Sequence, residues 1–125
     1  MRIDAVSVTT TDMEATVAFY TALGFDFAGV DLSADHVEPA AAGIRLMIDS
    51  AALIEKLTGE VPRPANHAAF AILCDSPAEV DGKAAAVADA GFSVQTAPWD
   101  AFWGQRYATV VDPAGYHVDL FAPLP

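Results

Sequence analysis

His117, Asp119 and Phe121 stand at alternate positions in the run Asp112-Pro113-Ala114-Gly115-Tyr116-His117-Val118-Asp119-Leu120-Phe121. In an extended strand, residues two apart share a face. An imidazole, a carboxylate and an aromatic ring are therefore presented together, while Val118 and Leu120 turn toward a buried layer. A carboxylate on a sheet face is costly unless it meets water, a partner, a metal or a ligand. Such a face could hold an ion, move protons between Asp119 and the histidines, or bind an organic molecule between charge and ring. Ahead of it lies the aromatic run Trp99-Asp100-Ala101-Phe102-Trp103. There Trp99, Phe102 and Trp103 could stack on a planar ligand and Asp100 could meet a cation. Arg106 and Tyr107 are consecutive, so only one of them can join that face, and Arg106 could neutralise Asp119 or Asp112. His67 supplies a second imidazole. His36, beside Asp31, Asp35 and Glu38, reads as part of a solvated loop. Cys74 closes the apolar stretch Ala68 to Cys74 and reads as a reduced, inert core thiol.

The elements that must position these groups occur twice. An Asp-Pro-x-Gly turn reverses the chain tightly before the His117 strand, because proline presets one dihedral and glycine permits the left-handed one. Thr11-Asp12-Met13-Glu14 and Ser76-Pro77-Ala78-Glu79 both read as capping boxes, the second with proline at the first helical position. Each opens a helix. The first carries Ala15, Phe19, Ala22 and Leu23 on one side, the second Val80, Ala84, Val87 and Ala88. Gly24-Phe25 and Gly91-Phe92 end them alike. A strand precedes each helix, Ile3 to Thr9 and His67 to Leu73. Strand-like runs follow at about Phe25 to Val30, His36 to Pro39 and Gly43 to Asp49 in the first half. In the second half they fall at about Phe92 to Pro98, Gln105 to Asp112 and His117 to Ala122. The expected class is α+β, with the order βαβββ repeated. A short helix near Ser50 to Leu57 precedes the connector Gly59-Glu60-Val61-Pro62-Arg63-Pro64. A single domain over 1–125 is expected, with modules 1–58 and 66–125 joined by a linker at 59–65.

Composition bounds the function. At 125 residues the chain is long enough to bury roughly two-thirds of its unfolded surface without disulfides. Six Lys plus Arg against 17 Asp plus Glu give a formal net charge of −11, which argues against nucleic acid as a partner because phosphates would be repelled. An acidic surface serves solubility or attracts small cations. No apolar run approaches membrane-spanning length and Met1-Arg2-Ile3-Asp4 starts a strand pattern, so a cytoplasmic protein with no membrane partner is expected.

The helix ending Ala18-Phe19-Tyr20-Thr21-Ala22-Leu23-Gly24-Phe25, and Trp103-Gly104-Gln105-Arg106 leading into Asp112-Pro113-Ala114-Gly115, resemble the vicinal oxygen chelate superfamily over nearly the whole chain. That group includes glyoxalase I, extradiol dioxygenases, fosfomycin-resistance enzymes and bleomycin-resistance proteins. The resemblance implies two modules whose strands curl into a half-barrel cup. In the family's metal enzymes both opening strands contribute His or Gln to the metal and both closing strands Glu. Placing His67 over Ala5, and Gly115 over Gly43, sets His117 over Arg45 and Asp119 over Met47. The four places are then Ala5, Met47, His67 and Asp119. Alanine has no donor and a thioether suits soft metals, so no metal cofactor is expected, with His67 and Asp119 only a weak pair.

Two functions follow from these readings. The resemblance to the metal-free bleomycin-resistance side implies a homodimer that sequesters a planar or cationic small molecule, such as an antibiotic. Its contact set would be Trp99, Phe102, Trp103, Arg106, Met47, His67, His117 and Asp119. The alternative is a glyoxalase-like lyase or isomerase in which His67, His117 and Asp119 do acid–base chemistry. A third reading makes His67 and Asp119 a hydrogen-bonded polar pair.

Overall fold

The computed structural model describes every residue from Met1 to Pro125. In the first module, β1 (Ala5–Thr10) leads to α1 (Met13–Ala22). After these come β2 (His36–Val37), β3 (Arg45–Ser50) and α2 (Ala51–Thr58). The second module has β4 (Ala68–Leu73), α3 (Pro77–Asp89), β5 (Ser93–Ala101), β6 (Gln105–Val111) and β7 (His117–Pro123). The fold is α+β. A three-stranded sheet in the order β1-β3-β2 and a four-stranded sheet in the order β4-β7-β6-β5 stand open, with no closed barrel. In each sheet the opening strand lies parallel to the closing strand, Ala5 beside Arg45 and Ala71 beside Asp119.

Both long helices begin where small polar residues offer a side-chain acceptor to the free N–H groups of the first turn. Ser76 accepts from the Glu79 N–H at 3.2 Å, with Pro77 behind it. In α1 the cap is Asp12 and not Thr11; its carboxylate accepts from the Ala15 N–H at 3.0 Å. Both helices stop at glycines in the left-handed region, Gly24 at φ 106° and Gly91 at φ 86°. Phe25 and Phe92 then donate back to the Tyr20 and Val87 carbonyls, closing the last turn.

The strand expected at residues 25–30 does not form. Asp26 accepts from the Ala28 N–H, Val30 donates to the Phe27 carbonyl, and Asp31 accepts from Ser33. Short Asp side chains thus satisfy the backbone locally and compete with a sheet ladder. Phe25, Phe27 and Val30 nevertheless pack against the core. Their apolar alternation reflects a folded-back turn segment.

One cluster of 17 buried residues draws on both modules. Phe19 of α1 meets Phe92 edge-on at 5.5 Å, and Tyr20 stacks on Phe70 of β4 at 6.3 Å. Full burial of a ring such as Phe19 contributes about 1.5–3 kcal/mol. The Tyr20 hydroxyl donates to Asp112 at 2.9 Å, and Lys83 of α3 donates to the Leu23 carbonyl at the end of α1. Asp112 also accepts from the Ala114 and Tyr116 N–H groups, so the tight turn and the junction between modules share one carboxylate. Burial pushes that carboxyl above its usual range, and the hydrogen bonds from Tyr116 and Tyr20 oppose the rise. Cys74 is buried, and burial raises its thiol, which disfavours the reactive thiolate.

Candidate ligand-binding face

Because Ala108, Val110, Val118 and Leu120 are buried toward α3, the alternating residues of β6 and β7 line the opposite face. On that open face Tyr107 pairs with Phe121 and Thr109 with Asp119. Trp99 stands opposite Tyr107 from β5. The rings form a continuous track. Trp103 is the hub, edge-on to Trp99 at 5.5 Å, to Phe102 at 5.0 Å and to Tyr107 at 5.3 Å. Tyr107 then stacks with Phe121 at 6.2 Å. Phe102 is 92% exposed, Leu73 65%, Trp103 49% and Trp99 38%. None of the molecule's five concavities is lined by these rings; the largest, about 620 Å³, lies between α2 and the linker. The aromatic site is therefore an open face and not an enclosed cavity.

Asp119 lies at the edge of this track. Its two oxygens accept from the Tyr107 hydroxyl at 2.6 Å and the Thr109 hydroxyl at 2.8 Å. Burial first, and Asp119 second, push the Tyr107 phenol up to about 12, so it remains a donor. His117, two residues away on β7, shares the face.

Several expected site residues fall elsewhere. Arg106 has the same parity as Ala108 and Val110 and so leaves the ring face. Its guanidinium donates to Asp81 of α3 at 2.8 Å and to Asp100 at 3.1 Å, which removes Asp100 from the rim as well. His67 is exposed, and its Nδ1 lies 2.9 Å from the Ala68 carbonyl oxygen. No hydrogen bond joins His67 to Asp119, so they are not the polar pair considered above. The ladder sets Ala68 beside His117 as Ala5 is beside Arg45, with a bulge before Phe70. His67 therefore precedes the place expected of it by one residue. Met47 lies half-buried on the first sheet, apart from the rings.

On the first sheet's open face the structure assembles a network absent from the expected set. His36 Nδ1 is 2.6 Å from Asp49, and its Nε2 is 2.8 Å from Glu38. Ser7 donates to the other Asp49 oxygen at 3.2 Å, while Arg45 bridges Glu38 and Asp4. Asp49 first, then Glu38, raise the His36 ring above its ordinary value. In sequence His36 and Asp49 are 13 residues apart, and only the β2–β3 ladder makes them neighbours. The alternation of Asp49 with Met47 and Arg45 was the one available signal.

The family model described as the Glyoxalase/Bleomycin resistance protein/Dioxygenase superfamily matches residues 2–120. The chain belongs to this superfamily. A glyoxalase/bleomycin resistance protein/dioxygenase from Nocardioides is 26% identical, with a TM-score of 0.75 over 99% of this chain and 84% of that one. A glyoxalase-related enzyme from Fulvimarina pelagi, 18% identical, superposes at TM-score 0.84 over 98% of this chain and 88% of its own. Lactoylglutathione lyase from Agrobacterium tumefaciens, 20% identical, gives 0.72 over 97% and 92%. An uncharacterized protein of Mycobacterium bovis is 44% identical over 46 residues, which is 37% of this chain and 30% of that protein.

The metal that the superfamily's enzymes hold does not fit the residues present. Ala5 and Met47 offer no hard donor and His67 lies off the ladder position, which leaves Asp119 as the one hard donor of the four places. Nowhere do three His, Cys, Asp or Glu side chains converge as a metal site requires.

Proposed function

We propose that the protein binds and sequesters a planar or cationic small molecule on the aromatic face of its second module, without chemical turnover. The observation that carries this reading is the track Trp99, Trp103, Tyr107 and Phe121, exposed at its tryptophans and half-buried at Tyr107 and Phe121, which ends at the Asp119 carboxylate. Apolar rings gathered in solvent mark a surface that meets something, and aromatic faces beside a carboxylate favour flat cations. Calorimetry with proflavine, a planar cation, and with bleomycin checks it. Saturable binding with tryptophan quenching and full recovery of the unchanged compound is the expected result. A compound released as a changed product, with Asp119→Asn abolishing turnover but sparing binding, would place the protein among the lyases or isomerases.

Homodimer assembly belongs to the same proposal. β4 pairs only with β7, so its outer edge is free, and the open ring face needs cover to become a pocket. Light scattering should return twice the chain mass at micromolar protein; a monomer mass unchanged on dilution would refute it. No helix is long and apolar enough to cross a membrane.

A further inference from the structure

We infer that Asp119 is a fixed receptor for a protonated amine or amidinium, held in position by Tyr107 and Thr109, at the place where the superfamily's enzymes bind a metal. This deepens the ligand-binding reading above and rests on it.

The clamp is built from three side chains on two paired strands. Tyr107 and Thr109 lie two residues apart on β6 and share a face, and Thr109 stands directly opposite Asp119 on β7. Each hydroxyl bonds a different carboxylate oxygen, at 2.6 and 2.8 Å. The carboxylate is thereby pinned at both ends and loses its rotational freedom. A carboxylate oxygen has two acceptor sites, so one donor on each leaves one further site on each. Two parallel acceptor sites suit an N–H donor group, and an amidinium can use both at once.

The surroundings choose the ligand's charge and shape. Tyr107 both holds Asp119 and stacks with Phe121, so a cation at the carboxylate has ring faces beside it. Toward β5 the track continues through Trp103 to Trp99, which gives an attached flat group its contact surface. The nearest arginine that could have neutralised Asp119, Arg106, is on the other face and tied to Asp81 and Asp100. No cationic partner to Asp119 exists within the chain's ion pairs. A metal would need two or three further protein donors beside Asp119, whereas an ammonium is held by the hydrogen bonds of this one carboxylate.

Tryptamine and tryptophol test this, since they share an indole and a two-carbon arm and differ in ammonium against hydroxyl. The chain has 2 tryptophans, so two indole N–H signals in nuclear magnetic resonance report contact with the track. The wild type should bind tryptamine at least about tenfold more tightly than tryptophol. Asp119→Asn should bring that ratio close to one. Tyr107→Phe and Thr109→Val should each lower the ratio severalfold while tryptophol affinity stays as it was, a split that loss of structure alone would not produce. Equal affinities with the indole signals shifted would overturn the receptor and leave the aromatic face standing as a binding surface. So would a ratio retained in Asp119→Asn. Indole signals moved by neither compound would overturn both readings. Zinc binding detected by calorimetry and lost in Asp119→Asn would overturn the receptor in favour of a metal ligand.

Discussion

On the first sheet's open face Asp4, Arg45, Glu38, His36, Asp49 and Ser7 bond to one another in an unbroken series, whereas on the second sheet's open face five rings lie partly or wholly exposed around one clamped carboxylate. The same scaffold, an opening strand parallel to a closing strand, supports both. The buried sides are alike in chemistry: Val8, Leu46 and Ile48 in one, Val110, Val118 and Leu120 in the other. Duplication of a fold thus repeats what the core requires and leaves the open faces unconstrained. A charged face that satisfies its own donors and acceptors has little left to offer a ligand. A face of rings in water gains from any apolar partner that covers it.

The largest expected effect attacks the joint between the two modules. Asp112→Ala leaves the Tyr20 hydroxyl and the Ala114 and Tyr116 N–H groups without their acceptor. Stability to urea should fall by about 2–4 kcal/mol, because a buried network broken on one side strands its donors. An unchanged midpoint would mean that the modules do not depend on this contact. Next comes the ring face. Trp103→Ala removes the hub of the track, and proflavine should bind about tenfold more weakly, with the far-ultraviolet dichroism unchanged. The same weakening from His36→Asn would erase the functional contrast between the two faces.

The charged face predicts a smaller, pH-dependent effect. Asp49 and Glu38 raise the His36 ring, so its protonated form is favoured in the folded state. Its stabilisation is complete below the unfolded value near ~6.5 and is lost as pH rises through the higher folded value. The imidazole is 42% exposed, so solvent screening limits the loss to less than about 1 kcal/mol. Urea midpoints should decline over that interval in the wild type and stay flat in His36→Asn; parallel curves would show that the network does not bind the proton. The smallest effect is expected from Arg106→Ala. With its guanidinium on the helix side, proflavine affinity should change by less than roughly twofold, as for contacts outside a binding centre. A larger loss would return Arg106 to the ring face.

Local chemistry made much of the scaffold legible. Ser76-Pro77 before an apolar stripe, Gly24 and Gly91 after one, and Asp-Pro-x-Gly before an alternating strand act within a few residues, so their outcome is set where they stand. The placing of His117, Asp119 and Phe121 on one face followed from alternation, as did the separation of Arg106 from Tyr107. Which of those two would meet the rings did not, because parity is relative until burial of Ala108 and Val110 fixes it. Residues 25–30 misled because apolar side chains that fold back on the core imitate strand alternation.

The sequence alone determined the repeat, the caps, the turn before β7, the acidic balance and the aromatic run, since each depends on composition or on neighbours along the chain. The tertiary structure alone decided that Tyr107 and Thr109 clamp Asp119, that His36 meets Asp49, that His67 misses the ladder position, and that Tyr20 closes on Asp112 from the other module. Those contacts join residues far apart in the chain, or hang on a single bulge. Register and strand pairing are collective outcomes of packing, and no local pattern of residue types encodes them.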